Sequence, residues 1–154
     1  MKRMKKLMGR VFGRRHELVL SNIAEGTHED SITKLADAAI ATRYLLVKHG
    51  SDANHIAVCG ANEKPLGVCD DEPSAAEREV SVGLLGLSPR TRLMVASEAI
   101  ALDSDLFTAA SGKVQDEPAG AGTYYNVGRA ITAATADGDV IEVVPREPLE
   151  FVVA

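Results

Sequence analysis

The chain has 154 residues, 45% of them hydrophobic and 25% charged, which is near the globular average and excludes a chain that stays disordered. No apolar run reaches the roughly 18 residues of a membrane-spanning helix, and two cysteines are too few for a disulfide framework, so a soluble, reducing compartment is expected. The net charge of −5 hides a division: residues 1–15 carry Lys2, Arg3, Lys5, Lys6, Arg10, Arg14 and Arg15 and no acid, while residues 16–154 hold the other 10 basic side chains against all 22 acids, a net of −12.

Residues 1–16 therefore read as a basic N-terminal arm and residues 17–154 as the folded body. Extended, fifteen residues reach about 50 Å, enough to touch a neighbouring molecule. Seven cations suit an acidic protein surface or the phosphates of a nucleic acid. Phe12 is the sole ring among them, which leaves no stacking platform for single strands. Leu7, Met8, Val11 and Phe12 could form a membrane-seeking face, but Gly9 and Gly13 interrupt it, as they interrupt the apolar segment a secretory signal needs. The arm residues are the candidate partner-binding site, with protein surface ranked above nucleic acid.

Glu17 to Ile23 forms a short β-prone run, and Glu25-Gly26-Thr27-His28-Glu29-Asp30 reads as a turn. Over residues 32–47 the signals conflict, because Ile32, Leu35, Ala36, Ala39 and Ile40 follow helical spacing. Internal similarity points the other way. Gly67 and Gly128, Ala75 and Ala136, Val80 and Ile141, and Val82 and Val143 are all 61 apart; Ala38-Ala39-Ile40-Ala41 resembles Glu98-Ala99-Ile100-Ala101 at 60, and Gly50 resembles Gly112 at 62. Two related units are expected, about 38–87 and 98–145.

The last strand of each unit alternates: Val80, Val82 and Leu84 on one face in the first, Ile141 and Val143 in the second, with Val140 and Val144 on another surface. Turn signals such as Asn62-Glu63-Lys64-Pro65, Ser111-Gly112-Lys113, Pro118 to Gly122 and Asp137-Gly138-Asp139 recur roughly every 10 to 15 residues. That spacing predicts a mostly β fold, a small sandwich or barrel-like body. With no Trp, three Phe and three Tyr, the core is short of large side chains. Oligomerisation is expected to compensate.

No constellation of catalytic groups stands out. His16, His28, His49 and His55 are scattered, and His28-Glu29-Asp30 reads as a solvated loop rather than a metal site. Cys59 and Cys69 lack a Cys-x-x-Cys knuckle and read as small buried hydrophobes. Asp70-Asp71-Glu72 lacks the alternating ligands of a calcium loop. Ala119-Gly120-Ala121-Gly122-Thr123 is followed by Tyr124 and Tyr125, not by the Lys and helix of a phosphate cradle. No catalytic residue, cofactor or metal is expected, and the chain reads as a non-enzyme.

The segments Ile32-Thr33-Lys34-Leu35-Ala36, Gly60 to Val68, Ala110-Ser111-Gly112-Lys113-Val114, Tyr125 to Ala130 and Gly138 to Val143 resemble the capsid cement or decoration proteins of tailed phages. The resemblance implies a β-tulip-type, often trimeric, non-enzymatic fold on the outside of a virion head, bound to the major capsid protein and assembled in the host cytoplasm. It also implies extended chain, not helix, over residues 32–47. The runner-up is a nucleic-acid-associated accessory protein that grips phosphates with its arm.

Overall fold

The computed structural model describes residues 29–87 and 89–154 of the chain. The arm and the run Glu17 to Ile23 lie outside the described residues. Ten strands follow in chain order: β1 Ser31–Ala36, β2 Leu46–His49, β3 His55–Val58, β4 Gly67–Cys69, β5 Glu79–Leu84, β6 Arg92–Val95, β7 Asp105–Thr108, β8 Val114–Gln115, β9 Gly122–Ala130 and β10 Val140–Val153. One 3-10 turn, Ala110–Gly112, is the sole helical element among the described residues. The fold is mostly β and barrel-like.

Residues 32–47 are extended or in turns, not helical. Their helical spacing has a different cause: Ala36 and Ile40 both point into a barrel, one from the end of β1 and one from the following bend, where the Ile40 N–H donates to the Pro73 carbonyl at 2.9 Å.

The first five strands close into a barrel in the order β1-β3-β2-β4-β5. The other five form a sheet in the order β6-β10-β9-β7-β8. Matching β1 with β6, β2 with β7, and so on to β5 with β10 makes the two orders the same. Registers match too. Lys34 pairs with Val80, and Met94 pairs with Ile141, partners 60 and 61 residues further on. Gly67 pairs with Leu84 as Gly128 pairs with Pro145. The parallel pair Ala36–Ile56 recurs as a single parallel bridge between Ala96 and Val114, so the second barrel closes at one point.

Even the irregular positions repeat. Tyr44 and Asp103 both have positive φ, and their N–H groups donate to the carbonyls of Cys69 and Ala130. Glu77 and Gly138 do likewise to Ala36 and Ala96. Each unit begins earlier than residue 38 or 98, because β1 and β6 belong to it. Gly50 and Gly112 are not equivalent: β2 and β7 start 59 residues apart, so the position matching Gly50 is Ala109.

The inward faces follow from period-two alternation. Ala36, Val47, Ile56, Val80 and Val82 fill the first barrel, and Ala96, Leu106, Val114, Ile141 and Val143 fill the second. Full burial of each Val, Leu or Ile contributes about 1.5 to 3 kcal/mol. Leu46, Val68 and Leu85, on the outside of the first barrel, are buried in the core of the second. The units thus share apolar packing.

Candidate interaction surface

Asp30, just before β1, lies at the junction between the barrels, and charge fixes it there. Arg92, on the first residue of β6, donates from Nη2 to the Asp30 carbonyl at 3.0 Å and to its carboxylate. Its Nη1 lies 3.7 Å from Asp70 Oδ2, and Arg90 lies 3.5 Å from the other Asp30 oxygen. The Arg92 side chain is 10% exposed, and its Nε has no hydrogen-bond partner among the described residues. Burial pushes the Asp70 carboxyl up, and Arg92 opposes that shift. Gly83 leaves the room for this guanidinium, since a Cβ there would lie 2.3 Å from Arg92 Nη1.

Of the sequence-derived candidates, Lys2, Arg3, Lys5, Lys6, Arg10, Arg14 and Arg15 lie outside the described residues, as do His16 and His28. Asp30, the last residue of the turn expected from the sequence, sits beside Arg90 and Arg92. Asp30 is therefore an anchor in an ion-pair cluster rather than a free loop carboxylate.

His55 sits between two carboxylates: Nδ1 is 2.7 Å from Asp52 and Nε2 is 3.1 Å from Glu77. Both raise its pKa, Asp52 more than Glu77, against burial. This bracket pins the start of β3 to the loop before β5. Cys59 and Cys69 are buried and free. Burial pushes the Cys59 thiol up to about 12, and the Cys69 thiol also upward. Each donates to a backbone carbonyl, Cys59 to Glu63 at 3.1 Å and Cys69 to Asp71 at 2.9 Å. Thiols so held are poor nucleophiles.

The acidic run after β4 lines a polar cleft with Arg43 and Arg78, and Arg43 lies 3.7 Å from Glu72. Asp71 accepts from the Ser81 N–H at 2.7 Å, so it braces β5. Among the described residues no group of three or more His, Cys, Asp or Glu is placed to hold a metal ion, and no helix is long and apolar enough to cross a membrane. Gly122 opens β9, and Tyr124 and Tyr125 follow within that strand.

Sequence reading set Val140 and Val144 on a second surface, and the structure adds Leu87, Leu93 and Leu102 to the exposed apolar residues. Among the described residues seven large hydrophobics are exposed: Leu87, Leu93, Leu102, Val140, Val144, Leu149 and Val152. All lie at or beyond residue 87. Beyond the barrel, β9 and β10 continue as a ribbon in which Leu149 to Val153 pairs with Asn126 to Gly122. Phe151 packs on Phe107 with ring centroids 4.8 Å apart. The first unit has no such ribbon, since β4 has three residues and β5 six.

No protein-family model matches the sequence, and no curated protein matches it. Among solved structures, the N base of head fiber gp8.5 in bacteriophage phi29 is similar, with a TM-score of 0.56 and 22% identity over 79% of this chain and 98% of that one. The likeness shows a shared fold. It covers almost the whole of the phage base.

Proposed function

We propose that this chain is a structural, non-enzymatic protein of a tailed-phage head, bound to the outer surface of the shell. The observation that carries this reading is the fold shared with nearly all of a head-fibre base. On this reading the body sits across the joint between neighbouring copies of the major capsid protein as a homo-trimer and cements them. Added buried area across the joint raises the free energy of separation by simple binding linkage, with no chemistry. Symmetric copies supply avidity, so each contact can be modest. Lys2, Arg3, Lys5, Lys6, Arg10, Arg14 and Arg15 clamp an adjacent acidic protein surface, which suits seven cations with no acid among them.

Purified protein mixed with heads that lack it tests the proposal. Saturable co-sedimentation and a higher temperature of DNA release are expected, and removal of residues 1–15 should weaken attachment at low salt while leaving the body folded. The alternative, a nucleic-acid accessory protein, requires tight binding to bare DNA that falls steeply with salt. That result, with no attachment to heads, would sink the proposal.

A further inference from the structure

The duplicated fold supplies an internal control for reading its surface. Positions that are equivalent in the two barrels carry the same structural duty within the barrel, so a change of chemistry between them reflects what lies outside. On the outer face of β1 and β5 the first unit presents Thr33, Glu79 and Ser81, none fully buried. The equivalent face of β6 and β10 presents Leu93, Val140 and Glu142, with Val144 where the first unit has Gly83. Leu93, Val140 and Val144 are 39%, 50% and 42% exposed. Leu93 lies directly across from Glu142, and Val140 and Val144 flank Glu142 on the same side of β10. Glu142 itself is tied back by a 2.6 Å hydrogen bond from Thr91.

A strand that folds with Thr and Glu in one unit does not need Leu and Val there in the other. The reverse exchange shows what apolar outer faces are for in this chain. Leu46 and Val68, on the outer face of β2 and β4, are fully buried because the second unit covers them. Their equivalents Asp105 and Arg129 are exposed and charged. At these two positions the outer face is apolar where the other barrel rests on it and polar where none does.

We propose that the outer face of β6 and β10, centred on Leu93, Val140 and Val144, is a homotypic interface covered by a barrel of a second copy of this chain. The proposal deepens the self-association in the function proposed above and rests on that part of it. The occupant follows from continuity with the packing inside the chain: the body that covers the apolar outer face of β2 and β4 is a barrel of the same kind. Val95, beside Val140 on β6, already packs into the core of the first unit, so a second copy would extend a contact the fold already makes.

The test transplants the first unit's own residues into the second, which favours folding because the same backbone tolerates them there. Leu93→Thr with Val140→Glu in the full chain should lower self-association at least about tenfold by sedimentation velocity over a concentration series, with the circular dichroism spectrum unchanged. The reciprocal Thr33→Leu with Glu79→Val should raise association. A chain that associates but ignores both pairs of changes overturns this interface and leaves the head-binding proposal intact. A chain that stays monomeric at about 100 µM overturns the interface and removes the trimer as well. Loss of head attachment with unchanged mass in solution would assign the face to a different protein and also overturn it.

Discussion

Arg92 holds three things at once: the start of β1 through Asp30, the turn after β4 through Asp70, and its own strand β6. Replacing it with Ala strands two partly buried carboxylates beside each other. Breaking such a pair costs about 3 to 5 kcal/mol when fully buried. Asp30 and Asp70 keep 26% and 34% side-chain exposure, so a loss of about 2 kcal/mol is expected in urea unfolding, smaller in acid, where Asp70, its carboxyl pushed up by burial, takes up a proton. Loss unchanged by acid would mean that packing, not charge, is what Arg92 supplies.

His55 gives stability a pH dependence of known sign. Its pKa in the folded chain lies above the ordinary 6.5 because Asp52 and Glu77 favour the protonated ring. The contribution is fully present below about pH 6.5 and is lost as pH rises through the higher folded value. Asp52, held below its ordinary 3.8, contributes above that value and loses it in acid. Denaturant midpoints between about pH 6 and pH 9 should fall in the parent chain and fall less in His55→Gln. Parallel curves for the two proteins would refute the bracket.

At the scale of elements, the glycines of β4 and β9 explain why their motif is repeated. A Cβ at Gly67 would lie 2.4 Å from the Gly83 carbonyl oxygen, and one at Gly128 would lie 2.4 Å from the Val144 carbonyl oxygen. Backbone cannot yield as a side-chain tip does, so Gly67→Ala and Gly128→Ala should each cost about 1 to 3 kcal/mol in thermal unfolding. A neutral result at either would mean the close approach is not needed. In the ribbon, Phe151→Ala removes the ring packed on Phe107 and should cost about 1 kcal/mol. Its effect belongs to β9 and β10 and should leave the amide exchange of β1 and β5 unchanged.

The sequence carried the β class and the turns because Gly, Pro and Asp act locally. Alternation marked Val80, Val82, Ile141 and Val143 as inward. It misled over Ile32 to Ile40, where two residues of a strand and a bend face one interior by tertiary placement, which no local period records. It set Val140 and Val144 on a second surface, but that Leu93 joins them there was not legible. Leu93 sits in a four-residue strand too short to show a period, and no local signal makes that strand the neighbour of β10.

For the whole molecule, shared packing sets cooperativity. Leu46, Val68 and Leu85 belong to the first barrel by sequence and to the second core by contact. One calorimetric transition is expected for the full chain, and Leu46→Ala should lower its midpoint as a whole, by about 2 to 4 kcal/mol of stability. Two separable transitions would mean that the barrels are independent. A fragment ending near residue 87 exposes those three side chains and should aggregate rather than fold.

Two copies of one topology in a single chain create a problem of identity during folding. β1 and β6 recognise their partners by the same register, so either could dock on β5 or on β10 and leave a mispaired intermediate. Length separates them: β10 runs fourteen residues against six for β5, and its extra span pairs with β9, a contact the first unit cannot offer. Shortening β10 to six residues would therefore slow refolding and populate swapped species, even where the finished structure lost little stability.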